Sequence, residues 1–308
     1  MKLFNDVLPY ILSGISVGGQ YALIAIGYTM VYGILRLINF AHGDVFMVAG
    51  LLMVYLSASL PLYIAAPLVV ILTVALGFAI ERAAYKPLRS SPRMSVMISA
   101  IGVSYLLQNL ALYITGGLNK NYPVIPWISD SITVLGATTK RVTVITPILM
   151  IVLVVLLVLL INHTKIGMAM RSVAKDFETS QLMGIKINSV ISVTFIIGSF
   201  LAAIASMLFF SNYPGVIPTS GAMPGLKAFV AAVFGGIGSV PGAVIGGILI
   251  GICESIIKGL DTILVHSGIV QTPLELSTFS DAFTFVLLII ILVFKPTGLF
   301  GEKATDKV

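Results

Sequence analysis

Asn39, His42 and Asp44 share one short break, Ile38-Asn39-Phe40-Ala41-His42-Gly43-Asp44, between long apolar runs. An amide, an imidazole and a carboxylate at the edge of a membrane-spanning run are the groups that line a path for a polar solute. Such groups are expensive at membrane depth and persist where they face protein or water. The plainer role is structural: Asn39 or Asp44 caps a helix and His42 satisfies backbone groups. A second constellation is Gly235-Gly236-Ile237-Gly238-Ser239-Val240-Pro241-Gly242. Backbone exposed at Gly235, Gly236 and Gly238 can line a cavity, since irregular backbone at membrane depth needs protein or water around it; a turn between two helices serves the glycines equally well. The third is the stretch 165–188, which carries Lys165, Arg171, Lys175, Asp176, Glu178 and Lys186. Each charge at a bilayer centre costs roughly 2.5–3.5 kcal/mol, so together they would cost on the order of 15–20. This stretch lies outside the lipid. Residues 171–183 lack Pro and Gly, and Val173, Phe177 and Gln181 recur at helical spacing. A short helix parallel to the membrane fits, closed by Gly184 at the position after its C-cap.

Other chemistries are missing their residues. Hydrophobic residues make up 58% and charged residues 10% of the chain, and its mean hydropathy is +1.07. That composition excludes an ordinary soluble globule. The net charge of +6 comes from membrane-flanking loops rather than one folded face, so nucleic acid is not an expected partner. Cys253 is the lone cysteine, and the histidines are scattered at 42, 163 and 266. No disulfide framework, metal site or cofactor site is expected. No Gly-x-Ser-x-Gly and no Gly-x-x-x-x-Gly-Lys-Ser/Thr occurs, which leaves neither a hydrolase nucleophile nor an ATP-hydrolysing loop in this chain. No catalytic residue is assigned.

The elements that must position these groups are apolar spans. Charge-free runs cover 7–35, 45–80, 142–161, 189–226 and 228–253. The run 45–80 is too long for one helix, and Pro61 and Pro67 divide it. Spans also fall at 94–115 and 276–294. The fold class is therefore all-α: a polytopic integral membrane protein with eight to ten transmembrane or re-entrant helices, forming one domain over 1–308. The run from Val7 outlasts the apolar region of a cleavable signal peptide. The loop 116–141 is the longest polar segment, with a small hairpin expected from Ile132 to Gly136, and 254–275 reads as a loop with a surface helix. Basic residues concentrate in 81–93, 163–188 and the tail after Lys295, with Lys303 and Lys307, so these face the cytoplasm and 116–141 lies outside. Parity then requires an even number of crossings between Asn188 and Lys295. The segment 225–257 must cross twice or re-enter; one straight helix is excluded. Three spans before Glu81 place the N-terminus outside, unless Gly18-Gly19 breaks the first. Gln108 and Asn109, in mid-span, are expected to make interhelical hydrogen bonds.

Three groups of residues carry a family resemblance. Glu178-Thr179-Ser180-Gln181-Leu182-Met183-Gly184 resembles the "EAA" loop of ABC-importer permeases, with Thr179-Ser180 where two alanines are usual. Gly19-Gln20-Tyr21-Ala22-Leu23-Ile24-Ala25-Ile26-Gly27-Tyr28-Thr29-Met30-Val31-Tyr32-Gly33-Ile34, followed by Ile38 to Asp44 and continued through Arg171 to Leu201, is similar to the H-type permease of branched-chain amino-acid ABC importers, with Asp44 where Glu is commoner. Gly235 to Ala243 and Lys295-Pro296-Thr297-Gly298-Leu299-Phe300-Gly301 extend the likeness over nearly the whole chain. The resemblance implies the transmembrane permease subunit of an importer in the bacterial inner membrane, moving branched-chain (hydrophobic) amino acids inward. Its implied partners are a second permease subunit, two cytosolic ATP-binding subunits and an extracytoplasmic amino-acid-binding protein. The loop 163–188 would hold the ATPase-coupling helix, with Arg171, Lys175, Phe177, Glu178, Ser180 and Gly184 as its contacts. Asn39, His42, Asp44, Gly235, Gly236 and Gly238 would border the substrate path. A related importer of urea or short amides is one alternative. A stand-alone ion-coupled carrier is another, weakened by the lack of a mid-span acid in the expected spans.

Overall fold

A computed structural model describes residues 2–89, 91–134, 137–266 and 275–301. Among these residues, seven helices are long and apolar enough to cross a membrane, and two shorter apolar helices accompany them. Chain order begins with α1 (Lys2–Leu35), α2 (His42–Ser57), α3 (Leu62–Ile80), which runs on as a π-helical turn at Glu81–Tyr85, and α4 (Arg93–Thr115). A short α5 (Pro126–Ser129) and strands β1 (Lys120–Asn121), β2 (Ser131–Val134) and β3 (Ala137–Lys140) follow. Then come α6 (Arg141–His163), α7 (Lys165–Lys175), α8 (Phe177–Leu182), α9 (Ile187–Asn212), β4 (Gly215–Val216), α10 (Ala222–Gly235), α11 (Val240–His266) and α12 (Ser280–Phe294). The all-α, polytopic architecture is as the sequence implies. Strands occur only as two short antiparallel pairs among the described residues, β1 with β4 and β2 with β3. The latter is the expected hairpin, although residues 135 and 136 at its tip, like Lys303 and Lys307, lie outside the described residues.

Small residues set the central packing. A Cβ on Gly14 would stand 2.7 Å from the Ile252 Cα, and one on Gly18 2.7 Å from the Ile248 Cα. From the other side, a Cβ on Gly251 would meet the Gly18 Cα at 2.3 Å. Backbones therefore touch along antiparallel α1 and α11, the close approach that small residues allow in lipid, where apolar surfaces gain nothing from one another. Helix α1 runs unbroken through Gly18 and Gly19, so the reversal that a break there would bring does not arise.

The ends of the helices define two faces. Arg36, after α1, donates to the Ala174 carbonyl of α7 at 3.4 Å, which puts the end of α1 on the charged face with α7 and α8. Tyr55, near the end of α2, donates to the Ile114 carbonyl of α4 at 3.4 Å, on the opposite face. Helices α2 and α10 have 16 and 14 residues, or roughly 21–24 Å, short of about 30 Å of hydrocarbon, whereas α12 and the turn before it span 19 residues, Leu276–Phe294. The two short helices begin part-way through. His42, the first residue of α2, packs against Gly27 of α1, eight residues before Leu35 and so about 12 Å above that end.

Two expectations need correction. Residues 254–275 are not simply a polar loop: α11 continues to His266, and Glu254 is 2% exposed. A helix tolerates these charges because they pair with one another, as described below; 267–274 lie outside the described residues. The charged stretch 171–183 is also not one helix. Asp176 is extended (φ −149°) and its carboxylate accepts the Thr179 N–H, ending α7 and capping α8. Gly184 (φ +83°) does close α8: its N–H bonds to the Gln181 carbonyl and that of Ile185 to Ser180. The segment 225–257 turns at Gly236–Ser239 between α10 and α11 rather than running straight.

Candidate functional site

Where α2 and α10 begin, their first turns meet backbone to backbone. A Cβ on Gly221 would lie 2.1 Å from the Gly43 carbonyl oxygen, and one on Gly225 2.8 Å from the Gly43 Cα. Beside this junction lies a cavity of about 300 Å³, walled by Tyr28, Asp44, Ser104, Tyr105, Leu226 and Phe229 among others. Among the described residues, Asp44 supplies its only carboxylate. That side chain accepts from the Ser104 hydroxyl at 2.5 Å and from Gln108 Nε2 at 2.9 Å, so it joins α2 to α4. Gln108 thus makes the interhelical hydrogen bond expected of it, whereas Asn109 Nδ2 donates within its own helix to the Tyr105 carbonyl at 2.7 Å.

Asn39 and His42 sit behind this cavity, not in its wall. Each is 3% exposed. Asn39 Oδ1 accepts the Tyr85 hydroxyl at 2.8 Å, tying the segment before α2 to the π-helical turn. The His42 ring meets Tyr28 edge-on, with centroids 5.0 Å apart. Neither Asn39 nor Asp44 caps α2, whose N-cap is Ala41 without a side-chain bond. Gly235, Gly236 and Gly238 lie at the opposite end of α10. There the Leu299 and Phe300 N–H groups bond to the Phe234 and Gly235 carbonyls, both at 2.9 Å. This strand-like clasp holds the segment after α12 against the turn.

On the charged face, Arg171, Lys175, Phe177, Glu178 and Gly184 are exposed, while Ser180 is 5% exposed and faces inward. The apolar Leu182 and Met183 are 87% and 78% exposed on a surface outside the lipid, where such side chains mark a contact. Phe177, Gln181, Ile185 and Asn188, with Arg82 and Arg89, border a groove of about 590 Å³. Arg89 donates both to Asn188 and to Glu81. Glu81 is fully buried and also accepts from Ser192 at 2.9 Å. Burial lowers the Arg89 pKa, and the facing Glu81 carboxylate opposes that shift.

A third cluster joins four helices in the interior. Lys227 Nζ of α10 lies 2.8 Å from Glu254 Oε1 and 2.6 Å from Asp281 Oδ1. Lys258 Nζ adds a contact to Glu254 at 2.5 Å, and the Tyr21 hydroxyl donates to Glu254 Oε2 at 2.9 Å.

The family model described as "Branched-chain amino acid transport system / permease component" matches residues 10–292. The chain is 39% identical to the high-affinity branched-chain amino acid transport system permease protein BraD of Pseudomonas aeruginosa, over 98% of both chains. It is 37% identical to the corresponding LivH of Escherichia coli, over 99% of both. More remotely, the ribose import permease protein RbsC of Haemophilus influenzae is 24% identical over 78% of this chain and 74% of its own.

The chain belongs to the branched-chain amino acid transport permease family.

As a member of that family it is a multi-pass membrane protein, and the half-depth cavity and charged face are the places to look for its work. Sequence reasoning missed several residues there. Ser104 and Phe229 carry no local motif, Tyr28 entered only through the family resemblance, and the packing of α1, α4 and α10 brings all three to Asp44. Lys227 and Glu254 did carry a signal: each is a single charge inside an otherwise apolar run.

Proposed function

We propose that this chain is the transmembrane permease subunit of an ATP-binding-cassette importer that brings branched-chain amino acids into the bacterial cytoplasm across the inner membrane. The observation that carries this reading is identity of 37–39% over almost the entire chain to permeases of high-affinity branched-chain amino acid systems. The face bearing Arg82, Arg89 and α7–α8 is then cytoplasmic, in line with its excess of Lys and Arg. The exposed part of α8, with Phe177, Glu178 and Gly184 and the apolar Leu182 and Met183, docks a cytosolic ATP-binding subunit; Arg171 and Lys175 of α7 flank that contact, and buried Ser180 fixes the helix beneath it. A second permease subunit completes the pore, a second ATP-binding subunit docks on that partner, and an extracytoplasmic binding protein delivers substrate to the opposite face. ATP is hydrolysed by those partners. Asp44 borders the substrate path directly, Asn39 and His42 support it from behind, and Gly235, Gly236 and Gly238 form the turn at its cytoplasmic end.

The test is reconstitution. The chain is co-purified with its partner subunits, placed in liposomes with ATP inside, and given radiolabelled leucine with the binding protein outside. ATP-dependent accumulation is expected. Leucine uptake by this chain without any ATP-hydrolysing partner would overturn the reading.

A further inference from the structure

We propose that the cavity beside Asp44 is a binding site for a free, zwitterionic α-amino acid with an apolar side chain, its ammonium held by the Asp44 carboxylate. The inference rests on the importer reading above and adds the chemistry by which the permease itself recognises its cargo.

The argument starts from the cavity's lining. At about 300 Å³ it stands at the lower end of the roughly 300–1,000 Å³ usual for small-molecule sites. Its single charged lining group is Asp44, on the first turn of α2. Two donors, Ser104 and Gln108, hold that carboxylate in place. An ionised carboxylate has about four acceptor sites, so capacity for a cation is left. No Lys or Arg lines the cavity, and a bound ammonium would supply the missing positive charge. The start of α10 at Gly221, Ala222 and Gly225, next to the first turn of α2, lines the same cavity. That helix end carries a partial positive charge, and it has no side-chain cap and no acidic residue in its first turn. Half-helix ends at membrane depth suit anionic substrate groups, and the substrate carboxylate belongs there. The one cation near that turn, Lys227, is already taken by Glu254 and Asp281. Elsewhere in the lining, Tyr28, Ile101, Leu226 and Phe229 offer apolar surface. A neutral urea or amide leaves both the carboxylate and the helix end unanswered, which sets this site apart from that of an amide importer.

The site is tested by protection from a thiol reagent. The assembled importer carries Ala222→Cys in a Cys253→Ser background, so the reporter is the chain's sole cysteine. Leucine is expected to slow its labelling; acetamide and urea are expected to leave it unchanged. Leucinol, which keeps only the ammonium, and 4-methylpentanoate, which keeps only the carboxylate, should protect less well than leucine. Asp44→Asn should raise the leucine concentration for half-protection roughly ten- to hundredfold, the loss of one charge-assisted hydrogen bond, and Asp44→Glu should restore part of it. No protection by leucine, protection by acetamide equal to that by leucine, or undiminished protection in Asp44→Asn overturns the proposal. Should Asp44→Asn fail to assemble, leucine against acetamide decides alone. ATP-driven leucine uptake without protection would sink this site and leave the importer reading standing; protection without such uptake does the reverse.

Discussion

Lys227 Nζ lies 2.8 Å from Glu254 Oε1, and both side chains are almost completely buried between α10 and α11. The same ammonium reaches Asp281 at the start of α12, so one cation ties the short α10 to both α11 and α12. Removing a single partner of such a pair leaves an uncompensated charge away from water. Lys227→Met is expected to destabilise the folded protein by about 3–5 kcal/mol, seen as a lowered thermal midpoint in detergent. The double variant Lys227→Met, Glu254→Gln should recover part of that loss. An unchanged midpoint in the single variant would contradict the assigned pairing.

Gly27 leaves the space that His42 fills. A Cβ there would stand 2.2 Å from His42 Nε2, and a buried ring between α1 and α9 has no room to yield. Overpacking of this kind typically costs about 1–3 kcal/mol, so Gly27→Ala should lower yield and thermal midpoint together. Adding His42→Ala should relieve the clash. If that second change brings no recovery, the two positions do not oppose each other.

Arg89 is the partner of fully buried Glu81 and also reaches Asn188 at the foot of α9. Arg89→Ala should cost about 3 kcal/mol by stranding the carboxylate, and Glu81→Gln in the same chain should return much of it. Because the bond to Asn188 disappears too, stimulation of ATPase activity by the loaded binding protein is expected to fall in both variants. Stimulation at the wild-type level would remove Arg89 from the coupling route.

Gly184 has open space around it but a left-handed backbone, φ +83°. A side chain there is penalised by conformation, not by collision, at roughly 1–2 kcal/mol. Gly184→Val is expected to insert and assemble normally while ATP hydrolysis continues and leucine uptake falls. Asn, which tolerates this conformation, should be milder. Normal uptake by Gly184→Val vesicles would show that the end of α8 does not transmit force.

Much of this architecture was legible in the residues. Unbroken apolar runs announced α1, α3, α4, α6 and α9, because a chain in lipid must satisfy its backbone within each segment. The parity of crossings required a turn near Gly236, and Gly184 declared the end of α8. Asp44 was found through its place after a helix break. The remainder was hidden for physical reasons. Glu254 and Lys258 looked like loop residues because charges argue against lipid, and of the partners that satisfy Glu254 only Lys258 is local, while Lys227 and the Tyr21 hydroxyl are distant in sequence. Asp176 split a continuous helical pattern because capping competes with helix continuation at an aspartate. Asn39 and His42 share the motif of Asp44, yet the turn into α2 points them at Tyr85 and Tyr28 instead of the cavity.

The glycine seam between α1 and α11 limits how such a molecule can work. With bare backbones in contact at Gly14, Gly18 and Gly251, neither helix can slip past the other without collision, so the pair serves as a fixed mast. Under the importer reading, shape change at the cavity falls to the shorter helices α2 and α10, whose first turns meet beside it, rather than to that mast.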